Sequence, residues 1–163
     1  MRKPIELRAW LTERVPHLRK HPDKLHVFID KGSVATKRGA GLGFEYRYTL
    51  QIVVTDYADP PDTLTVPLLV WISTHQPDLI DNTDRRDRAI GIDAEIIDHK
   101  SADIGITLEL SERVLVKPVE GGGYECEHLA EPEMPDLGGP SGWEVYLKGE
   151  LIYTSGDGAP PAP

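Results

Sequence analysis

One cysteine, Cys126, stands in the whole chain. A lone thiol excludes an internal disulfide and a cysteine-built metal knuckle. No apolar run reaches the ~18 residues needed to span a bilayer. Glu6, Arg8 and Glu13 follow Met1-Arg2-Lys3 where a secretory leader would carry its apolar stretch. Basic charge is also scarce, with 18 Lys and Arg against 27 Asp and Glu, a net of −9. A protein that binds nucleic acid by counterion release carries the opposite balance. Neither nucleic acid nor a membrane is therefore an expected partner. The 163 residues, 39 % hydrophobic and 28 % charged, fit one soluble globular domain, with reducing cytoplasm as the default compartment.

The scarcity of basic residues is local. Residues 1–117 hold 17 basic and 18 acidic side chains, whereas residues 118–163 hold one basic residue, Lys148, and nine acidic ones. The same last stretch contains 16 of the 29 Gly and Pro residues. These shifts divide the chain into a body over 1–117, an acidic Gly/Pro-rich appendage with a hairpin over 118–154, and a disordered tail over 155–163. The tail, Ser155 to Pro163, lacks apolar groups to offset the cost of ordering its backbone.

What is present is periodicity. Pro4 suits the first turn of a helix, and Leu7, Leu11, Val15 and Leu18 fall on one face of it, with Trp10 beside them. Pro16 should kink or shorten that helix. Leu25, Val27 and Ile29 alternate as a short strand, and Lys31 to Gly43 reads as a polar loop. Phe44, Tyr46, Tyr48, Leu50, Ile52 and Val54 alternate strictly with polar residues, the pattern of a strand with one buried face. A helix is expected from about Thr65 to His75, with Pro67 in its first turn and Leu68, Leu69, Trp71 and Ile72 inward. Asp81 to Arg88 reads as a loop.

Ile90, Ile92, Ala94 and Ile96 then share one face, as do Ile104, Ile106, Leu108 and Leu110, the latter run resuming at Val114 and Val116 after a break at Glu112. His99 to Ala102 is short enough to join the two runs as an antiparallel hairpin. Lys148-Gly149 marks a second, terminal hairpin. The expected fold is α+β: a mainly antiparallel sheet covered on one face by two helices, plus a C-terminal β-hairpin.

Several patterns imitate chemistry without completing it. His21-Pro22-Asp23 copies the J-domain tripeptide, but a strand pattern follows where a long helix is required. His17, His21 and Asp23 allow a metal site to be drawn, yet Pro16 and Pro22 oppose a regular helix and no Glu flanks His17 as a hydrolytic base. Gly39, Gly41 and Gly43 resemble a phosphate loop, but Phe44 stands in place of the third fingerprint glycine and a strand follows. Asp81, Asp84 and Asp87 are interleaved with Arg85, Arg86 and Arg88, which repel a cation. Ser141 is not in a nucleophile elbow, and Cys126 and His128 merely share a strand face. No catalytic, cofactor-binding or metal-binding set is expected.

An ordered set of segments carries the functional expectation. These are Leu18 to Leu25, Val27 to Ala35, Phe44 to Leu50, Val53 to Tyr57, Val66 to Trp71, Gln76-Pro77-Asp78, Asp103 to Leu108 and Ser111 to Val116. In this order and spacing they resemble the tail completion protein R family of temperate phages with contractile tails. The resemblance covers about residues 4–117 and, more weakly, Trp143–Leu151. It implies a tail-terminator-like fold and a structural protein of the virion tail that caps the head-proximal end of the tube, stops polymerisation and prepares head–tail joining. It also implies a homo-hexameric ring on the tail tube protein, with the sheath and head–tail connector as further candidate partners. Two departures bear on the interfaces: Pro16 within the first helix, and the insert between Pro118 and Gly142. The alternatives are a small metal-dependent hydrolase using His17, His21 and Asp23, and a transient tail-assembly chaperone.

Overall fold

The computed structural model describes residues 1–36, 42–82, 89–96, 101–131 and 144–154. Helix α1 runs Lys3–Arg14, α2 Pro16–Lys20, α3 Asp62–His75 and α4 Asp78–Asp81. The strands are β1 Leu25–Thr36, β2 Phe44–Tyr57, β3 Ile90–Ile96, β4 Ala102–Pro118, β5 Tyr124–His128, β6 Glu144–Leu147 and β7 Glu150–Thr154. Strands β1, β2, β4 and β3 lie side by side in that order, all antiparallel, and β5 pairs with β4. The expected α+β architecture, including the terminal β6–β7 hairpin, is the observed one.

The inner face of the sheet is set by the pairing of β2 with β4. Tyr48, Leu50, Ile52 and Val54 lie opposite Leu110, Leu108, Ile106 and Ile104, and all eight are buried. Leu7, Leu11 and Leu18 of the first two helices, and Val15 between those helices, cover them, together with Leu64, Leu68, Trp71 and Ile72 of α3. Helices α1, α2 and α3 thus form one layer that seals the core on this face. Trp10 joins the helices to each other, its indole Nε1–H donating to the Pro67 carbonyl at 2.9 Å.

Pro16 divides the first helix rather than bending it. Arg14 ends α1, Val15 is extended (φ −92°, ψ 114°), and Pro16 opens α2, where its missing N–H costs nothing. Helix α3 begins at Asp62, earlier than the apolar pattern suggests, so Pro67 is inside it. Thr63 supplies the reason: its hydroxyl donates to the Pro60 carbonyl and meets the Tyr57 hydroxyl at 2.6 Å, starting the turn early. Val70 is buried and Leu69 is exposed, contrary to the inward placement of Leu69.

Strand β1 is also longer than its apolar run. Lys31 to Thr36 were expected in a loop but continue the ladder with β2 through Thr36 opposite Phe44, after a bulge between Ile29 and Lys31. Backbone pairing carries these six residues, so no burial pattern advertises them. Glu112 does not break β4, which is continuous from Ala102 to Pro118. In β3, the four alternating residues do face the core side, opposite Leu108, Ile106, Ile104 and Ala102. The helices do not reach this edge, and Ile92 and Ile96 remain 55 % and 79 % exposed.

The stretch after Lys117, set apart by its composition, contributes β5 to the main sheet. The terminal hairpin turns on Lys148 and Gly149, both at positive φ (51° and 82°), as a two-residue turn of this hand requires. Leu147 and Ile152 of the hairpin are buried, and Lys148–Asp59 and Arg19–Glu150 ion pairs tie it to the body. The tail over 155–163 lies outside the described residues.

Leu108 is fully buried, whereas Thr107 faces the other side of the sheet and donates to Gln51 Oε1 at 3.0 Å. Leu108→Ala should therefore destabilise the protein by about 2–5 kcal/mol through lost transfer energy and the cavity left behind. Thr107→Ala should cost clearly less in the same denaturant titration. A larger loss at Thr107 would invert the assigned inner face.

Candidate functional site

Among the described residues the inner face carries one buried carboxylate, Glu112. Counting along β4 in twos from Ile104 reaches Leu110, then Glu112, then Val114, so the ladder turns Glu112 toward the helices. Its oxygens accept hydrogen bonds from the Tyr48 hydroxyl of β2, the backbone N–H of Arg2 (2.7 Å) and His128 Nδ1 of β5 (3.1 Å). Burial opposes the charged form. The Tyr48 hydroxyl, the Arg2 N–H, the amino terminus and His128 outweigh it and hold the carboxyl below its ordinary value. Tyr48 moves the other way, since burial and then Glu112 on its hydroxyl push its ionisation well upward and keep it a donor.

A second buried cross-link lies beside the first. Lys3 Nζ donates to Gln76 Oε1 at 2.6 Å and to Glu131 Oε1 at 2.7 Å. Gln76, also buried, accepts from the Ser111 N–H and donates to the Ser111 hydroxyl, both at 3.2 Å. The start of α1, the end of α3, strand β4 and the segment after β5 therefore meet at one polar hub. A cleft of about 310 Å³ opens over it, lined in part by Arg2, Lys3, His75, Glu112, His128 and Glu131. Each central polar atom of the hub has a partner within the chain. The hub binds the protein's own elements, an arrangement suited to holding shape.

The residues singled out from sequence fall elsewhere. His17 and His21 have ring centroids 5.4 Å apart, but His17 packs edge-on against Tyr57 at 4.9 Å and its Nε2 is buried without a partner. Burial, with His21, Lys24 and Lys148 adding to it against Asp59, lowers the His17 pKa and favours a neutral packing imidazole. Among the described residues no group of three or more His, Cys, Asp or Glu side chains is placed to hold a metal. Cys126 is exposed on β5, and His128, two residues on along the same face, is bonded to Glu112. Gly39, Gly41, Asp84, Asp87 and Ser141 lie outside the described residues.

Sequence reasoning passed over Glu112, Tyr48, Lys3 and Gln76 as a set. The signal for Glu112 was its parity, because it occupies an inward position of an alternating run. Gln76 was read only as a helix stop. Nothing local marks Lys3 or Glu131 as partners, since they are 128 positions apart.

The chain is thus a helix-backed, mainly antiparallel α+β protein with a self-satisfied polar centre. The family model of the P2 phage tail completion protein R (GpR) matches residues 1–132. A relative, tail completion protein R of Escherichia phage P2, is 39 % identical over 153 residues, spanning 93 % of this chain and 97 % of its own length. The chain belongs to the P2 phage tail completion protein R family. No solved structure matches it. The match continues past Lys117 through β5 and Glu131, the segment that closes the hub.

The hub should respond to acid with a definite sign. The folded Glu112 carboxyl binds its proton less readily than the unfolded one, whose ordinary value is 4.5. Its contribution is therefore complete above that value and lost as pH falls through the lower, folded value. Glu112→Gln should flatten the decline of Tm on acidification, and Glu112→Ala should cost roughly 2–4 kcal/mol at neutral pH by stranding the Tyr48 hydroxyl and the Arg2 N–H. An unchanged acid slope in Glu112→Gln would show that the carboxylate is not the titrating support.

Proposed function

We propose that this protein is a structural component of a phage tail and completes the tail during virion assembly. The observation that carries this reading is the 39 % identity to a tail completion protein along nearly the full length of both chains. The geometry is consistent with it: a polar centre that locks the chain's own elements, and strand edges that pair with no further strand among the described residues.

In finer terms, the protein caps the head-proximal end of the tail tube, ends polymerisation and prepares the tail for the head. It does so as a six-fold ring seated on the tail tube protein. A ring demands heterologous contacts, in which one surface of a subunit meets a different surface of the next. The β1 and β3 edges differ in length, sequence and exposed side chains, which favours such contacts over a two-fold dimer. The body over 1–117 with the β5 segment forms the ring, and the remaining acidic residues lie toward its rim, where crowding of like charge is least.

The role is non-enzymatic. The hydrolase alternative needs His17, His21 and Asp23 to converge, whereas His17 is engaged in packing against Tyr57. The transient-chaperone alternative is separated by location, because a completion protein stays in the finished particle.

Deletion of the gene should give lysates with headless tails of irregular or excessive length, and a plasmid copy should restore normal particles. Electron microscopy of the two lysates decides it. Tails of normal length bearing heads would reject the assignment, and absence of the protein from purified particles would favour the chaperone.

A further inference from the structure

Past Val114 the sheet narrows to a two-stranded ribbon. The β2 ladder ends where Phe44 faces Val114, and β4 from Leu115 to Pro118 pairs with β5 alone among the described residues. The register gives this ribbon two unlike faces. Val116, Cys126, Pro118 and Tyr124 continue the inner, apolar face beyond the helices, with Tyr124 66 % exposed. Leu115, Lys117, Glu125 and Glu127 form the other face, and Lys117 is ion-paired with Glu127. Glu125 and Glu127 against the one Lys117 leave this face acidic. A two-stranded ribbon is marginal on its own in water, so these exposed apolar groups have no evident role in the fold of a single copy.

The opposite side of the sheet carries matching features. Strand β1 pairs only with β2 among the described residues, leaving one edge of backbone N–H and C=O groups open. Ile29, Gly32 and Val34 lie on its inner face, where Val34 is 60 % exposed, and His26, Phe28, Lys31 and Ser33 lie on the outer face. Both strands therefore present apolar groups inward, with acid outward on β5 and base outward on β1. A one-residue slip would set the glutamates against the apolar row, so alternation fixes which pairings are allowed.

We propose that the β4–β5 ribbon of one copy adds through β5 to the open β1 edge of a second copy. Main-chain hydrogen bonds extend the sheet across the contact, Tyr124 and Cys126 cover the Ile29–Val34 row, and Glu125 meets Lys31. The contact is heterologous, because β5 and β1 are different surfaces, so each subunit offers one donor ribbon and one acceptor edge. This deepens the six-fold reading above and rests on it, naming the subunit contact. Its test uses purified protein, whereas the tail-length experiment reads the assembly role, so the two fail separately.

Isotope-labelled and unlabelled full-length chains should be mixed and treated with a zero-length carbodiimide reagent. The expected product is a mixed-isotope cross-link between Glu125 and Lys31, detected by mass spectrometry. In sedimentation equilibrium, Lys31→Glu should weaken self-association roughly tenfold, and the swap Lys31→Glu with Glu125→Lys should restore it. Gly32→Cys, on the same inner face as the native Cys126, should form intermolecular disulfides with it under mild oxidation, giving a ladder of oligomers absent from the parent. Circular dichroism checks that each variant folds, and the cross-link on the unaltered protein stands if a variant does not. A protein that stays monomeric to millimolar concentration overturns the proposal, as expected if the ribbon instead grips another tail protein. So does an association that Lys31→Glu leaves unchanged in a folded variant.

Discussion

The long β2–β4 ladder is the constraint on which the rest of the structure depends. Strands of 14 and 17 residues are held in register from Val54 opposite Ile104 to Phe44 opposite Val114. Side chains alternate with period two, so this one register decides every neighbour on both faces. It builds the apolar floor on which α1, α2 and α3 rest, and it leaves Thr49, Gln51 and Thr107 on the far side. The ladder is also longer than the layer of helices. Past Leu110 the inward series passes from leucine to glutamate while remaining buried.

A carboxylate at that point is costly unless its hydrogen-bonding capacity is met. Glu112 meets it with groups from three other segments: the first residues of α1, strand β2 and strand β5. A leucine there would bury well but would hold none of them in place. Charge and direction thus specify which segments close the core's end, where apolar contact alone would tolerate alternatives. Lys3 repeats this logic one residue away. It is buried between Gln76 and Glu131, so the amino-terminal turn is fastened at two adjacent points. Loss of one partner would strand a buried charge, which is why removing a member of such a set costs more than the net worth of the pair.

The legibility of the fold follows from which force holds each element. Phe44 to Val54 and Ile104 to Leu110 are held by burial of one face, and burial writes alternation into the sequence. Leu7 to Leu18 are held by burial of one stripe and were equally plain, and Pro16 correctly marked the break. Lys31 to Thr36 are held by backbone pairing to β2, which leaves no trace in side-chain type. Helix α3 starts early because Thr63 bonds Pro60 and Tyr57, a local polar arrangement that hydrophobic spacing does not register. The hub was hidden for a related reason: a glutamate in an apolar series looks like an interruption until its distant donors are known. The family relationship was legible because it rests on residue identities in order, which need no knowledge of how those residues meet.

The acidic excess of the last third looks different once its positions are known. Glu131 is spent on Lys3 and Arg113, and Glu150 on Arg19. These acids bind the appendage to the body, and they neutralise basic residues of the body in doing so. Such pairs contribute little each at an exposed site like Arg19–Glu150 and more at Lys3, where both side chains are largely withdrawn from water. Uniform repulsion is therefore a poor description of this segment. Among the described residues its charge includes Glu131 and Glu150, which pair with the body, and the outward glutamates of the β4–β5 ribbon. Anchoring the residues on either side of the ribbon fixes its root to the sheet through Leu129 N–H to Arg113 C=O and leaves its tip, around Gly121 to Gly123, as the part most open to a neighbour. A segment that served only to repel would need no such root.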